Sequence, residues 1–494
     1  LIDTVTNQAV FGESVHFQEV DIAMKRFLSV LKYRNLRRCI AAVLFITSIG
    51  TGASLPTAQE IAKAMTIGWN LGNTLEAIGG ETAWGNPVAS RTLIDSVKAA
   101  GFNTIRIPVA WDNHADQATG KIDAAWMDRV NEVVGYCIND SLYVILNIHW
   151  DNGWLENNCT LAQKEAVNKK QENYWTQIAD RFEPFNGHLL FASANEPNVE
   201  NAEQMSVLMS YHQTFIDAVR ATGGNNSTRV LIVQGPSTDI EKSDQLMETM
   251  PSDPAENLLM FEVHFYTPWN FCGLTEDADW GKMFYFWGQE YHSATNTSRN
   301  PTWGEESTVE SLFKSMKTAF VDKGIPVIIG EFGAIKRTSL SGGDLELHTD
   351  SREYYYRFVV KTAVENGMVP VYWDNGILDN GFSLFDRNTG AVIDRGALKA
   401  LMDGISVTSI AASFENEVNH GRNGTTVPAS LSPFQAIVDP SFSGNVSIFD
   451  PLGRCMRIRT HSIVLTRYIA NLNAGAYFAL ENGKKTAIRI VTTK

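Results

Sequence analysis

LLFASANEPN, residues Leu189–Asn198, is a short apolar run that stops at Asn195, Glu196 and Pro197. Such a run reads as a buried strand. Proline cannot donate to a sheet ladder, so Pro197 closes it and leaves Glu196 at its carboxyl end. IPVIIGEFG, Ile325–Gly333, repeats the design: β-branched residues lead to Glu331, with Gly330 and Gly333 letting the backbone turn close to a ligand. A lone Asn-Glu-Pro is common in loops and says little. Two acidic residues at the ends of two separate buried strands are costly beside apolar neighbours, and packing gives no reason to keep both. They are read as a catalytic pair.

Six more runs have the same character: TIGWNLGNT from Thr66, FNTIRIPVAW from Phe102, YVILNIHW from Tyr143, RVLIVQGP from Arg229, LLMFEVHFY from Leu258 and VPVYWDNG from Val369. Amphipathic helical segments alternate with them. SRTLIDSVKAAG from Ser90, DAAWMDRVNEVVGYC from Asp123 and SREYYYRFVVKTAVENG from Ser351 each begin on an N-capping residue, and two end on glycine. Strand and helix alternating eight times predict an α/β fold, the (β/α)8 TIM barrel, with a doubly wound open sheet as the weaker option. In such barrels the chemistry sits at the carboxyl ends of the strands.

Read for that rim, the other strands end on Arg106, on His149 and Trp150, on His264 and Tyr266, and on Trp373. Each alone is as well explained by core packing. Together they place polar or aromatic groups on the side where Glu196 and Glu331 stand. Arg106 is expected to hold Glu331 ionised, while apolar neighbours and a nearby negative charge are expected to raise the pKa of Glu196. Two carboxyl groups of opposite protonation suit glycoside hydrolysis. The segment Thr267–Gly304 is too long for a plain connection and is rich in aromatic residues, whose flat faces suit sugar rings. Most of these rings are expected to pack on one another, leaving Trp269 and Trp280 as sugar contacts.

The chain has 494 residues and a formal net charge of −14, which disfavours nucleic acid as a partner and is compatible with a neutral polysaccharide. Met24 opens MKRFLSVLKYRNLRRCIAAVLFITSIGTGAS, a basic stretch followed by an apolar run too short for a bilayer and then by small residues. Residues 24–53 are therefore expected to be a signal peptide, residues 1–23 upstream sequence, and the mature protein secreted or held at the cell surface without a membrane span. Downstream, Cys137, Cys159, Cys272 and Cys455 show no CxxC or Cys/His spacing, so no metal site or cofactor is expected. A bridge between Cys159 and Cys272, both in loop-like sequence, is one option. The catalytic domain is assigned to 54–404 and a linker to 405–433. Residues 434–494 alternate in short runs such as NVSIFD, RCMRIRT, SIVLTRY, GAYFALENG and TAIRIVTT, expected to form a small antiparallel β module. That segment carries eight basic residues against three acidic ones, opposite in sign to the barrel.

The barrel resembles glycoside hydrolase family 5. The family's site residues fall on Arg106, His149, Asn195, Glu196, His264, Tyr266, Glu331 and Trp373, and GWNLGNTLEA at Gly68, WGNP at Trp84 and VHFYTPWNFCGLTEDADWG at Val263 further resemble its subfamily 4 endoglucanases. The resemblance implies a retaining endo-β-1,4-glucanase (cellulase), with xyloglucan, mannan or mixed-linkage glucan as alternative substrates. A non-catalytic carbohydrate-binding barrel is a further alternative, against which both carboxyls argue. It implies Glu196 as acid/base and Glu331 as nucleophile, about 5 Å apart. It also implies Asn195 on the sugar 2-hydroxyl, Tyr266 supporting the nucleophile and Trp373 under the sugar at the cleaved bond, with Asn73 and Trp269 among the substrate contacts. Trp150 departs from the pattern, where many relatives carry a second histidine. VSIFDPLGR and GAYFALENGKKTAIRIVTTK resemble the C-terminal sorting modules of type IX secretion systems, which implies secretion machinery or the cell surface as a partner; a carbohydrate-binding module is the alternative.

Overall fold

A computed structural model describes residues 56–406 and the backbone of four strands between residues 445 and 490. The segments 1–23 and 24–53 and residues 407–433 of the expected linker 405–433 lie outside the described residues; 405 and 406 still belong to a helix. Eight parallel strands close into a barrel in simple sequence order: β1 (Gly68–Leu71), β2 (Thr104–Ile107), β3 (Tyr143–Asn147), β4 (Leu189–Ala192), β5 (Leu231–Gln234), β6 (Leu259–Phe265), β7 (Val327–Phe332) and β8 (Met368–Asp374). Closure runs through β1 and β8, with Gly68 opposite Val371 and Leu71 opposite Asp374. All eight expected strands form, and the open-sheet option falls.

Alternation along the strands sorts side chains into two cores. One face of each strand joins a large layer against the helices that includes Ile105, Phe191, Phe261 and Ile329. The other fills the barrel with Ile145, Leu190, Ala192, Ile232, Met260, Ile328, Val369 and Val371. Helix Ala58–Ala64 plugs the amino end of this interior with Ala58, Ile61 and Ala62. Thr57 starts that helix in a capping box with Glu60. Helices Arg91–Ala99 and Ala124–Asn139 begin where expected, capped by Ser90 and Asp123.

One helix starts earlier than the sequence suggests. Helix Gly342–Glu365 takes Ser341 as its first flanking residue, so Ser351 is interior to it. Its first turns are mostly exposed and give no apolar period, and Gly342 and Gly343 look like chain breakers. Ser351 is buried, accepting from Trp287 N at 2.5 Å and donating to Trp287 O at 3.0 Å. The proposed Cys159–Cys272 bridge is absent: both are free, buried thiols, Cys159 facing the Leu155 carbonyl and Cys272 the Tyr355 hydroxyl. Burial pushes both thiols up to about 12. Towards the carboxyl end, β9 (Asn445–Phe449), β10 (Cys455–Arg459), β11 (Gly475–Glu481) and β12 (Lys484–Ile490) form an antiparallel sheet in the order β10-β9-β11-β12. The expected run SIVLTRY lies outside the described residues. No helix of the described residues is long and apolar enough to cross a membrane.

The strand that delivers Glu331 is irregular. Ile328 faces the barrel interior, Ile329 the helices, and Gly330 the interior again. Strict alternation would then send Glu331 outward. Register shifts on both sides of this point, against β6 and against β8, place Glu331 beside His264 instead. A bulge of this kind re-aims one side chain. Gly330 is required there, because a Cβ would lie 1.9 Å from Glu262 Oε1 and 2.6 Å from Glu262 Cδ. Gly330→Ala is therefore expected to lower stability by about 1–3 kcal/mol through overpacking. Gly135→Ala, within helix Ala124–Asn139 and with nothing within 4 Å of its added Cβ, should raise it by about 0.5–1 kcal/mol. Thermal denaturation of the two variants checks both signs.

Candidate active site

The inward row of β6 shows how the site is stacked. Met260 belongs to the apolar floor, Glu262 lies above it fully buried, His264 above that, and Tyr266 follows where the strand ends. On β2 the matching inward residue is Arg106, also fully buried. Its Nη1 donates to Glu331 Oε1 at 2.8 Å and to Asn70 Oδ1 at 3.0 Å, and its Nη2 donates to Asn195 Oδ1 at 2.9 Å. Arg106 Nε lies 2.9 Å from Glu262 Oε1 but off the line of its N–H, so this contact is ionic rather than a directed hydrogen bond. Burial alone would lower the guanidinium's pKa; Glu262 and Glu331 reverse that and raise it. Arg106 is a permanent cation at the centre of the barrel mouth.

Both candidate carboxyls hang from this framework. Glu331 takes Arg106 on one oxygen and the Tyr266 hydroxyl, at 3.0 Å, on the other; its side chain is 8% exposed. Glu196 is open to the cleft, its side chain 45% exposed, and its Oε1 lies 2.6 Å from His264 Nδ1. His264 in turn reaches Glu262 Oε1 at 3.3 Å and lies 3.8 Å from Glu331 Oε2. Burial disfavours a charged imidazole, but Glu331, Glu196 and Glu262 surround this one and raise its pKa to about 10.

That cation corrects one expectation. Burial does push Glu196 upward, yet the hydrogen bond and charge of His264, helped by Arg106, outweigh it and leave the carboxyl below its ordinary value. The sequence shows His264 near the rim but not that it carries a proton, because the charge comes from three carboxylates converging in space.

Oxygens of Glu196 and Glu331 lie within 4.8 Å of each other, with a His264 nitrogen in the same group. Three such atoms could serve a metal. Here they are already committed to one another and to Arg106 and Tyr266.

Of the other expected residues, Trp373 and His149 lie parallel with ring centroids 6.0 Å apart, and the Tyr266 and Trp269 rings meet edge to face at 5.9 Å. Burial, then Arg106 and His264, lower the His149 pKa well below its ordinary value, so this histidine is neutral. Asn73 follows β1 with φ 54°, its backbone amide bonded to Glu76. Its side-chain amide makes no hydrogen bond among the described residues and is not joined to the carboxyl cluster.

Sequence reasoning passed over three residues. Glu262 is the buried anion beneath the site, and Gln234 on β5 donates to its Oε2 at 2.6 Å while accepting from Ala194 N at 2.8 Å. The alternation of LLMFEVHFY puts Glu262 on the face of His264, a signal that was there to read. Glu156, in the loop after β3, is also buried; its Oε1 accepts from the backbone N–H of Glu196 at 2.6 Å and its carbonyl from Asn198 N at 3.0 Å. It clamps the segment that carries Glu196. Nothing in the surrounding GWLENNC marks it.

Burial raises Glu156 to about 7, the Glu196 backbone amide opposing and the Glu196 charge adding to the rise. Between about 4.5 and 7 the folded protein thus binds more protons here than the unfolded chain, and stability falls as pH rises. Glu156→Gln keeps an acceptor for Glu196 N and removes the charge. Its stability should decline less between pH 5 and 8 than that of the parent, with Glu76, also near 7, Asp151, near 6, and His264, near 10, among the groups that keep a slope of the same sign. The alkaline limb of kcat should move to lower pH, because a negative charge that favours protonated Glu196 in the substrate complex is gone. Denaturant titrations and rate profiles across this range check both.

The family model for cellulase (glycosyl hydrolase family 5) matches residues 70–379. A xyloglucan-specific endo-β-1,4-glucanase of Bacteroides ovatus is 38% identical over 73% of this chain and 73% of its own. Endoglucanase A of Paenibacillus barcinonensis is 38% identical over 71% of this chain and 90% of its own. Among solved structures, a xyloglucan-specific β-1,4-glucanase from a ruminal metagenomic library superposes with a TM-score of 0.66 at 42% identity, covering 71% of this chain and 96% of its own. Matched through the strands that carry both carboxyls, the chain belongs to glycosyl hydrolase family 5.

Proposed function

We propose that the protein is a retaining endo-β-1,4-glucanase acting by double displacement, with Glu331 as nucleophile and Glu196 as acid/base. The separation of the two carboxyls carries this reading. Retaining sites keep them about 5–5.5 Å apart and inverting sites leave about 6.5–9.5 Å for a water; oxygens within 4.8 Å of each other fit the first. Glu331 is fixed on both oxygens by Arg106 and Tyr266, so it meets the anomeric carbon with little reorganisation.

The proton comes through Glu196. In the open cleft its carboxylate is held low by His264. A bound glucan covers its exposed side, expels water and favours the neutral form, and His264 is 2.6 Å away with a proton to share. Glu196 then protonates the departing oxygen. The leaving alcohol carries that proton away, so His264 is then neutral and Glu196 ionised; once Glu331 is esterified its negative charge is gone while Arg106 stays positive, which favours the ionised form. Glu196 takes a proton from the incoming water as it attacks the ester, and that proton restores the shared proton of the His264–Glu196 pair.

Xyloglucan is the second reading, favoured by the two xyloglucan-specific relatives above. We further infer that the protein is exported, on the strength of the basic and apolar pattern of residues 24–53, and that residues 434–494 serve sorting or glycan binding. If sorting, deleting 407–494 alters secretion and spares the specific activity of purified enzyme; if glycan binding, it weakens pull-down on cellulose.

Digestion of a panel of β-1,4-glucan, xyloglucan, mannan and mixed-linkage glucan, followed by NMR of the first product, tests the main reading. A β-anomer first and a viscosity drop ahead of reducing ends are expected; an α-anomer first excludes the assigned roles. Glu331→Gln should slow every substrate. Glu196→Ala should slow natural substrates by roughly 10²- to 10⁴-fold yet spare glycosylation by aryl glycosides with good leaving groups. Azide should then restore turnover and give a β-azide product.

A further inference from the structure

The long loop after β6 does two things. Phe271, Phe284, Phe286 and Trp287 turn inward and are buried, as expected for most of its rings. Three tryptophans do not: Trp269 is 45% exposed, Trp280 64% and Trp303 50%. Trp269 packs on Tyr266 and belongs to the catalytic cleft. Trp280 and Trp303 instead flank a separate pocket of about 500 Å³, whose polar lining includes Lys282, Thr297, Asn300 and Thr302. None of the carboxyl cluster lines it.

The exposure of these rings is built in, because the loop around them is pinned. The buried guanidinium of Arg337 donates to the carbonyls of Leu274 at 2.9 Å, Asn270 at 3.0 Å, Phe284 at 3.2 Å and Phe271 at 3.3 Å. Asn270 Nδ2 donates to Lys282 O at 2.7 Å, and Arg299 pairs with Asp277 while lying over the Tyr285 ring at 4.8 Å. A loop tied this tightly that still leaves two indoles in water forgoes apolar burial that it could have had. Indole faces beside amide and hydroxyl groups match the flat apolar faces and equatorial hydroxyls of β-linked glucose. With a net charge of −14 on the chain, a neutral glycan suits the pocket better than an anionic one. The pocket also adjoins the cleft: Asn270, in its wall, directly follows Trp269.

We propose that Trp280 and Trp303 form a surface site that holds a segment of polymeric β-1,4-glucan away from the bond being cut. This rests on the β-glucanase reading above. The site would tether a long chain and leave short substrates indifferent.

Affinity electrophoresis through gels containing xyloglucan or hydroxyethylcellulose tests it, using the full chain inactivated by Glu331→Gln. Adding Trp280→Ala and Trp303→Ala should weaken retardation several-fold with no change in the thermal midpoint, since both rings are exposed. In active enzyme, Trp303→Ala should lower kcat/KM on polymer while leaving the rate on an aryl cellobioside unchanged. Undiminished retardation overturns the proposal, as does an equal loss on polymer and aryl cellobioside, which would make Trp303 part of the catalytic cleft. If wild-type enzyme cleaves no β-glucan at all, the functional reading falls; if it cleaves but the inactive parent is not retarded, only the tethering site falls.

Discussion

Arg106 is the constraint on which the mouth of the barrel depends. A guanidinium with no solvent contact is costly unless paired and hydrogen-bonded, and here Glu262 and Glu331 supply the charges and Glu331, Asn70 and Asn195 the hydrogen bonds. Removing one member of such a buried pair typically costs about 3–5 kcal/mol, so the cluster stands or falls together. That interdependence also fixes geometry. The arginine that needs Glu331 for its own charge also fixes the position of that carboxyl in the barrel mouth.

Charge balance gives the two carboxyls different characters. Arg106 and His264 are cations; Glu262, Glu331 and Glu196 face them. Glu331 is enclosed with both oxygens engaged, whereas Glu196 keeps one side open and shares a proton with His264. A site with one closed and one open carboxyl can divide labour between nucleophile and proton carrier without any metal-like charge. Glu262, which touches no cleft, sets this balance from below by supporting both cations at once.

The aromatic loop works by a comparable division. Its buried rings and the Arg337 guanidinium fix the backbone, and a fixed backbone can present Trp269 to the cleft and Trp280 and Trp303 to a neighbouring pocket. Long irregular segments that carry function need such internal ties, since they lack a sheet ladder or helix to hold them.

The barrel and its strand-end residues were legible in the sequence because burial and alternation are local. Apolar runs that stop at Glu196, Glu331, Arg106 and His264 announce themselves one strand at a time. The same local rules could not reveal what depends on convergence. The inward turn of Glu331 comes from a bulge at Gly330, which packs on Glu262; the charge on His264 comes from carboxylates on β6, on β7 and in the loop after β4; Glu156 reaches Glu196 from another loop; and the thiols of Cys159 and Cys272 end in separate packing environments. Chain order determines which chemical groups each strand can offer. Only the closed barrel decides their distances, and with them which group keeps a proton, because electrostatic energy depends on separation in space and on water excluded by neighbours far away in sequence.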